Sequence, residues 1–331
     1  MWLINTRTRQ LEEFQSEREV KYAILSHTWG TDEVSFREMN TFSSVGNKRR
    51  YQKILVTCNQ ALQDGLSYAW LDSVCIDKSS SAELSEAVNS MWRWYEAAEE
   101  CDVWLEDVPA SQAEKQAVDA EEREHDLSCF VGASAKALFR KARWFTRGWT
   151  LQELLAPRRL QFYDQGWSWI GSRSMLSPLL HEITTIPLPL LEGGDSSCRI
   201  GDLLGEYSIA QRMSWASKRS TTRLEDRAYS LLGIFDVNMP LLYGEGSRAF
   251  MRLQEHIMMS STDQSIFAWT ANVDANSDQL LAQSPAGFEG CSDVHATSNW
   301  HPTETYEPTN RGIRISLPLS TASPGAQGRI S

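Results

Sequence analysis

The chain has 331 residues, which is enough for one large domain or two ordinary ones. Hydrophobic residues make up 41% and charged residues 23% of the chain, a balance that is typical of a globular protein and excludes a disordered one. The net charge of −11 argues against a nucleic-acid binder that neutralises phosphates, and no apolar stretch is long enough to cross a bilayer.

The first half of the chain alternates predicted strands with predicted helices. Strands are predicted at residues 21–25, 68–77, 102–108 and 160–164. Helices are predicted at residues 48–64, from the serines at 79–81 onward, and around Glu153. Gly65 and Pro157 end the first and the third of these helices. This alternation predicts an α/β fold, in which a parallel sheet is flanked by helices on both faces.

Three polar clusters lie where these strands meet their loops. Residues 26–29 follow the first strand, residues 72–78 follow the second, and residues 147–153 precede the fourth. In parallel sheets, ligands bind beyond the carboxyl ends of the strands. The three clusters therefore predict a functional site at one edge of the sheet.

The second half of the chain has a different character. Helices dominate it, at residues 173–184, 201–218, 222–235 and 246–260, and residues 311–318 alternate like a strand. We therefore predict an α/β domain (residues 1–170), a mainly helical extension (171–270) and a small C-terminal segment with irregular and β structure (271–331). The acidic residues 110–127 are expected to form a solvated helix or a mobile insertion, with a partner-binding role as the alternative.

The termini and the cysteines indicate the cellular compartment of the protein. Residues 1–7 contain no apolar segment, so no secretory signal is expected. The six cysteines are scattered without a CxxC pair, which favours buried, reduced thiols in a cytoplasmic protein. No group of Cys and His has the spacing of zinc ligands, so we expect no metal. The chain ends in a Ser-, Gly- and Pro-rich stretch, so we expect a fragment or a truncated protein.

Glu153 is the most informative single residue. It lies one helical turn after Trp149 and directly before Leu154 and Leu155. A glutamate in such apolar surroundings is expected to be partly desolvated, which raises the pKa of its carboxyl group and strengthens its hydrogen bonds to a ligand. The alternative is a glutamate in the first turn of a helix, where it stabilises the helix dipole.

Three blocks of sequence resemble a known family. Residues 22–30, 69–78 and 147–154 resemble, in order, spacing and residues, the three blocks of the fungal heterokaryon-incompatibility (HET) domain. Residues 225–255 resemble an extension that is common in fungal members. The resemblance implies a cytoplasmic protein of filamentous fungi that triggers cell death when incompatible strains fuse. It also implies a homo-oligomer on activation and, as partner, an NLR-type or allelic incompatibility protein.

The HET family is in turn distantly similar to TIR domains, which implies a TIR/flavodoxin-like sheet. Residues 149–154 look like the TIR stretch in which a Trp precedes Glu-Leu and whose glutamate is catalytic in NAD-cleaving members. By this analogy Glu153 is the catalytic carboxylate of an NAD glycohydrolase, with NAD as the substrate and no cofactor. When the neutral nicotinamide leaves, a nearby carboxylate stabilises the oxocarbenium-like ribose.

Aromatic and polar side chains of the first and third blocks are candidates for binding NAD or a related dinucleotide. Trp29 or Trp149 is a candidate for stacking on nicotinamide or adenine, with core packing as the alternative. Ser26 and His27 lie where a first strand meets its loop, a common place for contacts to phosphate or ribose. His27 is otherwise a core or loop-bridging histidine.

Charged side chains complete the set of candidates. Asp72 and Asp77 are candidates for hydrogen bonds to ribose or for positioning water. Asp77 is alternatively a cap of the following helix. Arg147 is a candidate for bidentate binding of the pyrophosphate, with an ordinary ion pair as the alternative.

Two other functions stay open at the level of sequence. The domain is alternatively a non-enzymatic death-signalling module that acts through self-assembly, since Trp and Arg are enriched at interfaces. Cys75 and His27 form a possible hydrolase dyad, although Val74 and Ile76 predict a buried, inert thiol. A dehydrogenase or NTPase is disfavoured, because the chain has no GxGxxG motif and no P-loop lysine motif.

Overall fold

A mixed sheet of seven strands runs through the first half of the chain in the computed structural model, which describes residues 1–41, 51–110, 133–193, 199–270, 280–295, 307–309 and 312–314. In chain order its strands are β1 (Trp2–Asn5), β2 (Leu11–Glu13), β3 (Tyr22–His27), β4 (Tyr68–Trp70), β5 (Glu100–Trp104), β6 (Leu160–Tyr163) and β7 (Trp169–Ser172). Across the sheet they follow the order β2-β1-β4-β3-β5-β6-β7.

The four central strands are the ones that the sequence predicts. β4, β3, β5 and β6 pair in parallel, in the flavodoxin-like order of second, first, third and fourth along the chain. The predicted α/β fold is confirmed. β1 and β7 add antiparallel strands at the two edges of this group, and β2 pairs with β1. These three strands were not predicted, because they are three or four residues long and only partly buried, so they carry no clear periodicity.

Helices connect the central strands. They are α1 (Phe36–Thr41), α2 (Tyr51–Gln63), α3 (Ser81–Ala97), α4 (Ala133–Arg140) and α5 (Thr150–Leu155). α2 ends before Gly65, whose φ of +76° suits a glycine. α3 begins where the side chain of Ser80 accepts a hydrogen bond from the backbone N–H of Glu83. The predicted helices are therefore confirmed over the residues that the structure describes.

The second half is helical, as predicted, but its helices are shorter. They are α6 (Ser177–Thr184), α7 (Leu188–Glu192), α8 (Ile200–Leu204), α9 (Ile209–Ser214), α10 (Asp226–Tyr229) and α11 (Arg248–Ser260). The predicted helix over residues 201–218 is divided into α8 and α9. Ser208 and Gln211 form a capping box, and α9 begins after Ser208. Of the predicted helix over residues 222–235, only the four residues of α10 are α-helical. Across the described ranges, no helix combines the length and the apolar character that a membrane span requires.

Two predictions fall largely outside the described residues. From the predicted strand at 311–318, Gly312–Arg314 form β9, which pairs antiparallel with β8 (Glu307–Thr309). The remainder of that strand, and the acidic stretch at 110–127 apart from residue 110, lie outside the described ranges.

One hydrophobic core extends through both halves of the described chain. It contains Trp70 and Phe162 of the sheet together with Leu232 and Phe250 of the second half. The helical extension therefore packs directly on the α/β part. The domain boundaries after residues 170 and 270 stay predictions, and the first of them is not a gap in the packing.

Candidate functional site

Glu153 lies against the carboxyl end of β3. Its carboxylate accepts a hydrogen bond from the hydroxyl of Ser26, the fifth residue of that strand, which is fully buried. The chain order reverses here, because β4 lies on one side of β3 and β5 on the other. Ligands of open α/β sheets bind at such a switch point. The first and third polar clusters therefore meet at the edge where a site was predicted.

Ser26 also connects Glu153 to a buried tryptophan that the sequence did not point to. The indole Nε1 of Trp144 donates to Oγ of Ser26 over 2.7 Å. Trp144 lies in a 3₁₀ turn at Arg143–Thr146 and is fully buried. The hydroxyl of Tyr95, from α3, also lies close to Glu153, and it donates to the backbone carbonyl of Leu25 over 3.2 Å. Because Ser26 and Trp144 are fully buried, they restrict the position of the carboxyl group.

The carboxyl group of Glu153 has an altered acidity. Burial raises its pKa to about 7, and the nearby charge of Asp72 acts in the same direction. The hydrogen bond from Ser26 and the charge of Arg147 oppose this shift. The residue is only 7% exposed, so the desolvation expected from the sequence is confirmed. A carboxyl group with this pKa gains and loses its proton near neutral pH, as a general acid or base requires.

Asp72 joins the first and second polar clusters. One of its carboxylate oxygens lies 3.1 Å from Nε2 of His27, and the other accepts a hydrogen bond of 2.7 Å from Nε1 of Trp29. The ammonium group of Lys78 lies 3.5 Å above the centre of the Trp29 ring. Although burial raises the pKa of Asp72, the charge of Lys78 and the hydrogen bond from His27 lower it overall, so the group is an anion at neutral pH.

Lys53 and Glu33 form an ion pair beside His27, and neither was predicted as a site residue. Lys53 is 2% exposed, forms an ion pair with Glu33, and lies with Nζ 3.2 Å from Nδ1 of His27. Because the carboxylate of Asp72 can only accept, Nε2 of His27 carries a proton. The sequence pattern that could have identified Lys53 is its position beside Ile54 on the buried face of α2. A lysine is rarely buried there unless an acidic group pairs with it.

Arg147 and Trp149 lie next to this cluster. The guanidinium of Arg147 is half-buried and makes no hydrogen bond to a group in the described part of the chain, but its charge acts on Glu153 and on Asp226. Trp149 is half-buried at the beginning of α5, and its side chain lies close to Asp226. Asp226 belongs to the helical extension and was not a predicted site residue.

Asp77 has a local role. Its carboxylate accepts hydrogen bonds from the backbone N–H of Ser79 over 3.0 Å and from the hydroxyl of Ser79 over 2.6 Å. These bonds form a turn directly before Ser80, which is the residue that caps α3. Within the described ranges, no contact brings Asp77 to Glu153, so its role in ligand binding stays a prediction.

The cysteine dyad and a metal site receive no support. Cys75 is buried, its Sγ accepts a hydrogen bond from the backbone N–H of Leu71, and burial raises the pKa of its thiol. His27 is engaged with Asp72 instead. Among the described residues, no group of three or more His, Cys, Asp or Glu could hold a metal ion.

A groove lies at the opposite end of the parallel strands. It has a volume of about 1220 Å³ and is lined in part by Lys21, Arg93, Arg159 and Phe235. Lys21 and Arg159 directly precede β3 and β6, which places the groove at the amino ends of these strands. Glu153 does not line this groove, and at 7% exposure its carboxyl group at the switch point is covered.

The comparisons with known proteins cover the elements from β3 to Glu153. Residues 22–153 match the family model "Heterokaryon incompatibility protein (HET)", a match that begins at the first residue of β3 and ends at Glu153. Residues 248–292 match a domain of unknown function (DUF8212).

Among curated proteins, the chain is similar to the vegetative incompatibility protein HET-E-1 of Podospora anserina. The two are 44% identical over 252 residues, which cover 75% of this chain and 17% of that protein. The chain therefore spans less than a fifth of the length of this relative. No solved structure matches the chain.

Proposed function

Since residues 22–153 belong to the HET family, we propose that the protein is a cytoplasmic cell-death effector of fungal heterokaryon incompatibility that cleaves the nicotinamide–ribose bond of NAD. The observation that carries the proposal is the buried carboxyl of Glu153, held by Ser26 at the switch point of the sheet with a pKa of about 7. The similarity to a vegetative incompatibility protein supports the biological part of the proposal.

The proposed reaction uses one carboxylate. The bond between C1′ of the ribose and the nicotinamide nitrogen breaks, and its electron pair stays with the nicotinamide, which leaves as a neutral molecule. The carboxylate of Glu153 stabilises the oxocarbenium-like ribose. Water then adds to C1′, and its proton passes to Glu153 and on to solvent. The products are nicotinamide, ADP-ribose and one proton.

The neighbouring side chains suit the rest of the dinucleotide. Trp29 is 36% exposed and offers a ring for nicotinamide or adenine, once Lys78 moves from its face. Asp72 is positioned to accept hydrogen bonds from ribose hydroxyls. The guanidinium of Arg147 is suited to pair with the pyrophosphate. His27 orients Asp72, as Ser26 orients Glu153.

The proposal is tested by the release of nicotinamide from NAD, followed by mass spectrometry with the purified protein at high concentration. Glu153→Gln keeps the size of the side chain and removes its charge, so we expect a loss of roughly 100-fold or more. The matched control is Asp102→Asn, which changes another carboxyl, 1% exposed, on β5. Burial raises the pKa of Asp102 well above its usual range, and neither oxygen of its carboxyl group has a hydrogen-bond partner among the described residues, so the control should retain activity.

Two results would contradict the proposal. One is equal release of nicotinamide by the wild type and by Glu153→Gln, which would remove the catalytic role from Glu153. The other is no release of nicotinamide by the wild type, even when it is fused to a domain that dimerises on addition of a small molecule. Such a fusion supplies any clustering that the enzyme needs for activity.

The second candidate is a non-enzymatic death-signalling module that acts through self-assembly, and the covered carboxyl of Glu153 favours it. Under this proposal the protein forms homo-oligomers on activation, prompted by an NLR-type or allelic incompatibility partner. Light scattering of the purified protein measures the assembly, and expression in a fungal host measures cell death. Assembly and cell death that both persist in Glu153→Gln support this candidate over the enzyme.

A further inference from the structure

Arg219 lies in the helical extension, outside the residues that match the HET family, yet its side chain contacts the beginning of α5. Its Nη1 donates to the backbone carbonyl of Arg147 over 3.0 Å and to Oγ1 of Thr150 over 2.8 Å. Its Nε donates to the carbonyl of Trp215 over 3.3 Å. The guanidinium therefore connects the segment that follows α9 to the first residue of the helix that carries Glu153.

Backbone hydrogen bonds reinforce this connection. The N–H of Ser220 donates to the carbonyl of Thr146 over 2.7 Å, and the N–H of Gly148 donates to the carbonyl of Ser220 over 2.8 Å. A Cβ atom at position 148 would lie 2.5 Å from the side chain of Thr221, so only glycine permits this approach without a shift. The turn before Glu153 is thus packed against the extension.

A second residue of the extension reaches the same turn from the other side. The carboxylate of Asp226, at the beginning of α10, accepts a hydrogen bond of 3.1 Å from the hydroxyl of Tyr243 and lies close to the side chain of Trp149. The charge of Arg147 also acts on Asp226. The third sequence block is therefore contacted by the extension at Arg147, at Trp149 and at Thr150.

We propose that Arg219 is a positioning residue that fixes the first turn of α5 and places its positive charge near Glu153, so that the helical extension completes the site. The inference rests on the proposed function in one respect, which is that Glu153 is the functional carboxyl group of the site. Arg219 acts through Thr150 and the backbone of Arg147, and it does not touch the substrate.

Several charged or titratable groups act on Glu153 from the surrounding elements. They are Tyr95 of α3, Asp72 after β4, Cys101 of β5, Arg147 before α5, and Arg219 of the extension. The two arginines are the cations of this set. Removing the charge of Arg219 therefore destabilises the ionised form of Glu153 and leaves the protonated form unaffected.

The test follows the protonation of Glu153 in the full chain by NMR of carbon-13-labelled glutamate, with the signal assigned by its loss in Glu153→Gln. In Arg219→Gln we expect the titration midpoint of Glu153 to move to higher pH, by roughly one pH unit. In Arg219→Lys, which keeps the charge, the midpoint should stay close to that of the wild type. Rescue by lysine is a result that a purely structural role would not produce.

The matched control is Arg212→Gln. Burial lowers the pKa of Arg212 to about 10, as it does for Arg219, but Arg212 donates to the carbonyl of Ile234 and lies over the ring of Phe235. This substitution should leave the midpoint of Glu153 unchanged.

An unchanged midpoint in a folded Arg219→Gln protein overturns the proposal. If that variant does not fold, hydrogen exchange of the α5 amides is compared between Arg219→Lys and Arg212→Lys, and only the former should exchange faster. Equal exchange in the two lysine variants also overturns the proposal. Neither readout requires NAD cleavage, so the proposed function can fail while this inference stands.

Discussion

Ser26 and Glu153 are 127 positions apart in the chain and share a buried hydrogen bond, in which the serine hydroxyl donates to the carboxylate. Oγ of Ser26 also accepts a hydrogen bond from the indole N–H of Trp144. One hydroxyl group therefore satisfies a donor from one side and an acceptor from the other. Its loss has consequences for both neighbours.

In Ser26→Ala, the carboxylate of Glu153 loses a donor, so the pKa of Glu153 should rise further above 7. Trp144 loses the acceptor of its buried N–H, which costs about 1–3 kcal/mol of the free energy of unfolding. Urea denaturation measures the second effect, and the NMR titration of Glu153 measures the first. Ser174→Ala is the exposed control; a Ser26→Ala protein that matches it in both measurements contradicts the hydrogen-bond chain.

The acidity of Glu153 makes stability depend on pH. Its pKa in the folded protein, about 7, is higher than the ordinary value of 4.5. The protonated side chain therefore contributes stability that is fully present below about pH 4 and is lost as the pH rises through 7. The free energy of unfolding of the wild type, relative to Glu153→Gln, should fall by roughly 3 kcal/mol over this range. Parallel dependence of the two proteins on pH contradicts the buried acid.

Gly148 should not tolerate a larger side chain. In Gly148→Ala the new methyl group meets the side chain of Thr221 at 2.5 Å, and relieving this overlap costs about 1–3 kcal/mol of the free energy of unfolding. Gly201→Ala, in α8, is the control, because its nearest neighbour is 3.9 Å away and alanine favours a helix. Thermal denaturation compares the two variants. Equal stability of both would show that the extension does not pack closely on the turn.

The ion pair of Lys53 and Glu33 should be sensitive to the loss of one member. Lys53→Met leaves the largely buried carboxylate of Glu33 without this cation, which costs about 3–5 kcal/mol of the free energy of unfolding. Adding Glu33→Gln removes the stranded charge, so the double variant should recover part of the stability. A double variant that is less stable than Lys53→Met argues that the pair is not coupled.

The sequence predicted the meeting of Ser26, Asp72 and Glu153 because their positions follow from a general property of parallel sheets. Loops after adjacent parallel strands lie at one edge, whatever the details of packing. The hydrophobic surroundings of Glu153 likewise predicted its desolvation without knowledge of the contacts.

The supporting residues were not predictable in the same way. The role of Trp144 depends on a 3₁₀ turn that aims its indole N–H at Ser26, and no periodicity marks such a turn. Arg219 follows a short helix and a run of turns, and only the folded chain shows that it reaches α5. The edge strand β2 alternates too briefly to differ from a loop.

The hydrogen bond between the N–H of Gly148 and the carbonyl of Ser220 limits how this domain can be exchanged between proteins by recombination. A chimaera that receives residues 22–153 alone inherits all three polar clusters, but the group that pairs with the N–H of Gly148 must then come from the host protein. Chimaeras that also carry residues through Tyr243 keep Arg219 and Asp226 with the turn they contact. Recombination that breaks the chain between these segments would separate Glu153 from the residues that hold its helix in place.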